Sequence, residues 1–378
     1  MTAPALHNVA VVGGGPAGST AAYLLARNGF RVSLFDRQCF PRTKLCAGLL
    51  TWKTVRLLEA LFGKGPETLR QQGIIIQTCS DYKVYYRRTE LAHGRLAYPF
   101  HLVDRPRYDH FWLEQAREAG AHLYLGTTVK RVEPNGRLST HDGTHQFDAV
   151  IGADGVLSRV RRCMAESRSE RRVWRANLAA TIEVRRSAPI RNLCTLHFGY
   201  APWGYAWSFP NQQKRVIGIC GLDPKVTGPS LSTAFRQFLG DCGFDEASQV
   251  NWQAYPLPYG NFISKPARGR LLLIGDAAGL ADPLLGEGIF YAHRSAQVAA
   301  EAVTVCRDAP AGLSARYVRL LNRLVLREFR WIVFYRMLLF FGGHLRRFRG
   351  LRLFLRLFPA RLEALVQGTR PYSRLLFP

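Results

Sequence analysis

The chain has 378 residues, with 52 Lys and Arg against 27 Asp and Glu, a formal charge of +25. That length supports one large domain or two smaller ones with a real core. At 47% apolar and 21% charged residues, a mainly disordered state is excluded.

The eight Cys, at 39, 46, 79, 163, 194, 220, 242 and 306, form no CxxC pair. That spacing argues against a zinc ribbon, a thioredoxin-like site or a secreted disulfide scaffold, and no metal site is expected. Met1 to Asn8 lacks the basic start and apolar run of a signal peptide.

In chain order, Val9–Val12 reads as a buried parallel strand. The turn Gly13-Gly14-Gly15-Pro16-Ala17-Gly18 follows, then a helix over Ser19–Arg27 that stops near Gly29. A second strand, Arg31–Phe35, ends at Asp36-Arg37. Gly13 suits the tight turn, Gly15 the approach of a pyrophosphate, and Gly18 close packing of helix on strand. The helix N-terminus offers free N–H groups to phosphates, and Asp36 sits where a carboxylate can accept from a ribose hydroxyl. Strand, turn, helix, strand and acid occur in order, so dinucleotide binding is expected.

A loop comes next, Pro41-Arg42-Thr-Lys44-Leu-Cys46-Ala47-Gly48. Arg42 and Lys44 flank Cys46, and nearby cations favour thiolate chemistry. Cys39 is read as a packing residue. Ile74–Ile76, Tyr82–Tyr86 and Arg215–Cys220 are expected strands. Val103-Asp-Arg105-Pro-Arg-Tyr-Asp109 leads into a helix ending near Gly120. Phe147–Ala153 is an apolar strand ending in Asp154-Gly155, with Ser158, Arg159 and Arg161 behind it. Tyr205, Trp207 and Phe209 alternate, so on a strand they share one face. An aromatic wall of this kind suits a flat ring or an apolar chain, or simply a core stripe.

Arg270–Ile274 is another strand, ending in Gly275-Asp276. Asp282-Pro283 and Gly286-Glu-Gly288-Ile289 then open a helix through about Val303. Asp276 can bond a sugar-alcohol hydroxyl. Gly286 and Gly288 would let a flat ring approach a helix N-terminus, which favours negative charge on a reduced flavin.

From Gly312 to Pro378 there are 14 Arg and 2 acidic residues. Arg316, Arg319, Arg323, Arg327 and Arg330 fall along one helical face. Trp331–Phe341 is apolar apart from Arg336, and Gly342-Gly343 is expected to end it. Arg349, Arg352 and Arg356 line one face of a further helix before Pro359. These segments are too short to span a bilayer, which needs about 20 apolar residues. They read as interfacial helices at a membrane surface, with a packed helical cap as the plainer reading. Basic charge placed this way argues against a nucleic-acid partner.

The early GxGxxG, the middle DG and the late GD together resemble the FAD-dependent para-hydroxybenzoate hydroxylase-like flavoprotein superfamily. The resemblance makes FAD the expected cofactor, with Arg105 near the flavin. The Cys46 loop and the YxWxFP segment (Tyr205, Trp207, Phe209, Pro210) resemble the geranylgeranyl reductase family. Ala47 and Leu49 depart from that family's loop, where Gly is usual. The resemblance implies a catalytic Cys46 near the flavin and substrate contacts from Tyr205, Trp207 and Phe209. Gly13, Gly15, Pro16, Ala17, Gly18, Asp36, Arg37, Arg42, Arg105, Asp154, Gly155, Gly275, Asp276, Pro283, Gly286, Gly288 and Ile289 are expected to bind the cofactor.

The expected fold is α/β. A Rossmann-type FAD-binding domain would come from residues 1–77, 100–163 and 265–310. An antiparallel substrate domain would come from 78–99 and 164–264, and a basic helical tail from 311–378. The expected activity is reduction of isolated C=C bonds in a prenyl lipid, quinone or prenyl diphosphate. NAD(P)H or a redox protein would be the electron donor, since no second GxGxxG follows a strand. Two alternatives are a monooxygenase of an aromatic or polyketide substrate and an electron-transfer flavoprotein reducing a quinone. The protein is expected in the cytoplasm, peripheral on the inner face of the membrane.

Overall fold

The structure is a computed structural model describing residues 5–164, 174, 179–187, 192–222, 230–244, 252–345 and 348–375. The chain divides into two units. The first comprises Met1–Thr43, Pro106–Asn177 and Pro258–Arg330, and the second Lys44–Arg105, Leu178–Leu257 and Trp331–Pro378.

The first unit is built on a six-stranded sheet in the order Ala267–Arg268, Leu271–Leu273, Ala149–Gly152, Asn8–Val12, Arg31–Asp36, His122–Leu125. All its pairings are parallel except the one at the Ala267–Arg268 edge. Strands buried on both faces read as continuous apolar runs, and Val9 to Val12 is such a run. The helix Pro16–Arg27 packs on the helix Ile289–Val305. At Gly18 an added Cβ would lie 1.8 Å from the Gly13 carbonyl oxygen, and at Gly13 (φ +107°) one would lie 2.4 Å from the Ala153 carbonyl oxygen. Only hydrogen side chains let strand, turn and helix meet this closely.

The second unit holds an eight-stranded sheet in the order Gln253–Leu257, Ala179–Ser187, Lys214–Gly221, Tyr205–Asn211, Leu193–Phe198, Ile75–Tyr86, Thr89–Val103, Leu49–Leu50. It is antiparallel apart from the parallel pairing of Leu193–Phe198 with Ile75–Tyr86. Ile182, Val184, Ala206, Ile217 and Ile219 on one face pack against Phe235 and Phe238 of the helix Leu231–Asp241.

The observed boundaries differ from the expected ones. Residues 44–77 and 100–105 lie in the second unit, because Leu49–Leu50 pairs with His101–Leu102 and Ile75 with Val103. The tail is divided at Arg330. In the first unit the Tyr317 hydroxyl donates to the Leu273 carbonyl at 2.6 Å, and Phe329 meets the Tyr291 ring edge-on at 4.7 Å. In the second, Phe348 stacks on Phe198 at 5.1 Å. Gln367 accepts from the Trp52 N–H and donates to the Tyr98 carbonyl.

Arg319, Arg323, Arg327 and Arg330 are exposed and Arg316 is half-buried, as one solvent-side row requires. The side chains of Arg349 and Arg356 lie outside the described residues. The helix Arg327–Leu345 runs through Gly342-Gly343 instead of stopping there, since a helical Gly costs only about 1 kcal/mol. Cys39 is exposed, not packed. No helix among the described residues is long and apolar enough to cross a membrane.

The Gly18→Ala substitution is expected to cost about 1–3 kcal/mol by overpacking, measured by denaturant unfolding. In the second unit, burial pushes His101 and His197 down to about 4. The folded form then binds fewer protons than the unfolded one, so stability falls as pH drops from about 6.5 towards about 4. A His197→Phe variant should flatten part of that slope in unfolding measured across this range.

Candidate functional site

In the first unit the sequence motifs converge at the carboxyl ends of four adjacent parallel strands, where α/β sheets bind ligands. The turn Gly13–Gly18 follows Asn8–Val12, with Pro16 and Ala17 buried in the first helical turn. Asp36 ends the next strand. Its carboxylate accepts from the Gly14 N–H at 2.7 Å and the Gln38 N–H at 2.9 Å. It thus ties the second strand to the glycine turn. Arg37 is exposed. Arg42 pairs with buried Asp109 at 3.5 Å and lies over Phe40.

The Asp154 carboxylate is engaged inside its own segment. It accepts from Ser158 Oγ at 2.5 Å and from the N–H groups of Arg159 and Val160, which caps the helix Arg159–Met164. Burial pushes this carboxyl up while those donors pull it back. Arg161 reaches from there to the Ala277 carbonyl at 3.3 Å and covers Trp174, linking the DG and GD segments. Asp276 is different. It is half-buried, and among the described residues its carboxylate has no protein donor. A Cβ at Gly288 would lie 3.5 Å from Asp276 Oδ1, so the carboxylate stands at the start of the helix Ile289–Val305. Asp282 holds the intervening turn through the N–H groups of Leu284 and Leu285, with buried Pro283 between and the Gly286 N–H on its carbonyl. Gly275 is fixed by Ser295 Oγ at 2.9 Å.

These residues fit a bound dinucleotide. A Cβ at Gly15 would meet only the Arg42 guanidinium, at 3.3 Å, and one at Gly155 would meet nothing within 4 Å. Backbone at both places is open to a ligand, and Asp276 offers an unengaged acceptor. Behind them runs a buried polar chain that sequence reading missed. Thr20 Oγ1 and the Tyr108 hydroxyl bond the two nitrogens of His293, at 2.6 and 2.8 Å.

In the second unit the Cys46 loop and the aromatic strand come together. Trp207 and Phe209 are buried in one cluster with Cys79, Leu102, Cys194 and Cys220, against which Tyr205, Ala47 and Leu49 pack. Cys46 is half-buried, and its Sγ accepts from the Gly48 N–H at 3.4 Å. Burial pushes the carboxyl of Glu183, on the strand Ala179–Ser187, up to about 7, and the nearby Cys46 backbone is among the groups that oppose the rise. Arg105, expected at the flavin, belongs to this unit and is buried, with its charge acting on Glu183. Sequence reading missed Glu183. The signal was present, since Thr181, Glu183 and Arg185 alternate with apolar Ile182 and Val184.

The cradle of the first unit defines a dinucleotide-binding flavoprotein. Residues 7–304 match the family described as FAD binding domain, and the chain belongs to it. It is an FAD-dependent oxidoreductase. It is 29% identical to a geranylgeranyl diphosphate reductase of Rhodobacter capsulatus over 307 residues, covering 78% of this chain and 74% of that protein. It is 30% identical to a menaquinone reductase of Mycolicibacterium smegmatis, covering 79% and 76%. It is also 28% identical to a tryptophan 2-halogenase of Chondromyces crocatus, covering 80% and 62%. In fold it resembles a geranylgeranyl bacteriochlorophyll reductase-like protein of Thermoplasma acidophilum, with a TM-score of 0.75, 19% identity and 88% and 87% of the two chains covered.

Asp276→Ala should leave apoprotein stability within about 0.5 kcal/mol and weaken FAD retention about tenfold, the worth of one charge-assisted hydrogen bond. Asp154→Ala should cost about 1 kcal/mol of stability through the lost cap. Denaturant unfolding and flavin released on dilution separate the two.

Proposed function

We propose that this chain reduces isolated C=C bonds in the prenyl chain of a lipid, a quinone or a prenyl diphosphate. The observation that carries the reading is the second unit's wall of Tyr205, Trp207 and Phe209 with the Cys46 loop packed on it. The reductase names of two relatives support it. In this reading Gly13, Gly15 and Gly18 with the following helix hold the FAD pyrophosphate. Asp36 and Asp276 take sugar and sugar-alcohol hydroxyls, Arg42 adds positive charge, and the backbone from Pro283 to Ile289 receives the ring. Reduced FAD supplies a hydride.

The chain's own residues do the rest. An unactivated alkene offers no polar handle, so catalysis must come from fixed position and excluded water. Large flat side chains on one strand face supply both. Cys46 stands beside them as the proton donor to the second alkene carbon. Electrons come from NAD(P)H or a redox protein.

The protein works in the cytoplasm, held peripherally at the inner membrane surface by its tail. Phe334, Met337, Leu338, Leu353, Leu357 and Phe358 are large, apolar and exposed in the second unit, and Arg352 beside them is exposed too. Apolar area with adjacent cations is what an anionic lipid surface binds.

The likeness to a halogenase favours oxygen chemistry as the second reading, in which the chain is a monooxygenase of an aromatic or polyketide substrate. The menaquinone reductase favours a third, electron transfer to a quinone ring.

Anaerobic addition of a prenyl substrate to photoreduced enzyme should reoxidise the flavin and raise the chain's mass by two hydrogens per bond. Product that appears only with oxygen selects the second reading, and a reduced ring with an unchanged chain selects the third. No reoxidation by any lipid, quinone or prenyl diphosphate overturns the proposal. The pair Leu353→Ser with Leu357→Ser should lower co-sedimentation with anionic vesicles at least about fivefold, since two buried Leu side chains contribute roughly 3 kcal/mol or more.

A further inference from the structure

The glycine turn of the first unit has a cation standing in front of it. Arg42 Nη2 lies 3.5 Å from Asp109 Oδ2 on one side, and on the other a Cβ added at Gly15 would lie 3.3 Å from the same nitrogen. The guanidinium also sits over the Phe40 ring, with its carbon 4.8 Å from the ring centre. That ring in turn covers Gly14, where an added Cβ would lie 3.1 Å from Phe40 Cζ. Carboxylate, ring and glycine turn therefore hold one guanidinium between them.

The two partners differ in freedom. The Asp109 side chain is 0% exposed and the Arg42 side chain 14%. A fully buried carboxylate is stable only beside a cation or hydrogen-bond donors. Asp109 is also presented from a rigid element, the helix Arg105–Glu118. On that helix the Tyr108 hydroxyl bonds His293 Nε2 at 2.8 Å, and buried Trp112 meets the His293 ring edge-on at 5.8 Å. Those contacts fix the helix, the helix fixes the carboxylate, and the carboxylate fixes the arginine.

We propose that Asp109 is a positioning residue for FAD, holding Arg42 at Gly15 so that the guanidinium is in place before the pyrophosphate arrives. The inference rests on seating the pyrophosphate at the Gly13–Gly18 turn, and it is independent of which substrate the flavin reduces.

The turn needs such a cation. The start of the helix Pro16–Arg27 offers N–H groups and a partial positive charge to phosphate. The Asp36 carboxylate, however, takes the Gly14 N–H at 2.7 Å. It adds a negative charge to those that the phosphates bring. An arginine offsets both, since a guanidinium carries five donors in a planar fork and can serve two oxyanions at once. At 3.5 Å the link to Asp109 is an ion pair and not a short hydrogen bond. The fork can therefore turn towards phosphate without leaving the carboxylate. An untethered arginine would have to be ordered when FAD binds. Asp109 and Phe40 order it during folding instead, which is how preorganisation adds affinity.

Charge counting alone gives the opposite sign. Removing a carboxylate near a phosphate site lifts a repulsion and strengthens binding. Asp109→Asn separates the two effects, read as FAD released from the holoenzyme on dilution and followed by flavin fluorescence. The variant should release FAD about fivefold faster, as expected for one long side chain left to be ordered. Arg42→Ala should release it about tenfold faster or more. Asp109 acts through Arg42, so Arg42→Ala combined with Asp109→Asn should release FAD no faster than Arg42→Ala alone. A residue that only packs would add its loss to the other's.

Release from Asp109→Asn at the wild-type rate or slower overturns the proposal, and so do additive losses in the double variant. Release from Arg42→Ala at the wild-type rate overturns it even where Asp109→Asn fails to fold. Gly15→Val puts a side chain in the path of the pyrophosphate and tests the seating itself. FAD held by that variant as firmly as by wild type overturns the seating and the proposal together. FAD lost from Gly15→Val but kept by Arg42→Ala overturns the Asp109–Arg42 clamp and leaves the seating standing. None of these measurements uses a prenyl substrate, so the reductase reading stands or falls separately.

Discussion

The first unit depends on one close approach. The Gly13 carbonyl occupies the space where a Gly18 side chain would begin. That contact seats the helix Pro16–Arg27 directly against the end of its strand, with its first N–H groups at the carboxyl end of the sheet. Asp36 then has its place fixed, because it must reach the Gly14 N–H. Each neighbouring parallel strand delivers its own motif to the same end, so the sheet order decides what the cradle contains. Polar links finish it: Ser295 holds Gly275, and His293 ties the helix Ile289–Val305 to Thr20 and Tyr108.

The second unit is governed by register. One face of its sheet is closed by the helix Leu231–Asp241 around an apolar cluster of Ile182, Val184, Ala206, Ile217 and Ile219. The other carries Glu183, Trp207, Phe209 and Cys220. Strand period is two, so a slip of one residue would send Glu183 into the helix-covered core and Ile182 to the other side. The cost of burying an unpaired acid there enforces the register, while the acid itself is tolerated because the Cys46 backbone and three cations act on it. One pairing pattern therefore both stabilises the unit and keeps acid, indole and loop together.

Much of this was legible in the sequence. The GxGxxG, Asp154-Gly155 and Gly275-Asp276 segments are local signals that turn chemistry writes directly into residue choice, and they fall where expected. The alternation of Tyr205, Trp207 and Phe209 likewise gave the strand and its face. What was not legible depends on contacts between distant segments. Nothing local marks Asp154 as a helix cap while Asp276 stays unengaged, since both follow an apolar strand beside a glycine. Glu183 nears the Cys46 backbone only after the sheet forms, across well over a hundred residues of chain. Unit boundaries failed for the same reason, as the two-residue strand Leu49–Leu50 is too short to show a period.

The tail shows how composition and burial divide one segment between two tasks. Its aromatic residues suggested either a lipid-facing helix or a packed cap, and the structure buries some of its large apolar side chains and leaves others exposed. Tyr317 and Phe329 are core residues of the first unit, and Ile332, Phe340, Phe348, Leu355 and Leu365 of the second. Phe334, Met337, Leu338, Leu353, Leu357 and Phe358 are left outside. A cap alone would not need them apolar, because a solvated helix face gains nothing from Leu or Phe. Charge alone would not need them either, since an Arg row is screened over about 8 Å at physiological salt. Apolar contact and anionic attraction act at different ranges, one holding on contact and the other steering from farther away. In the proposed reading the exposed half serves an anionic lipid interface, and the packed half stabilises the fold.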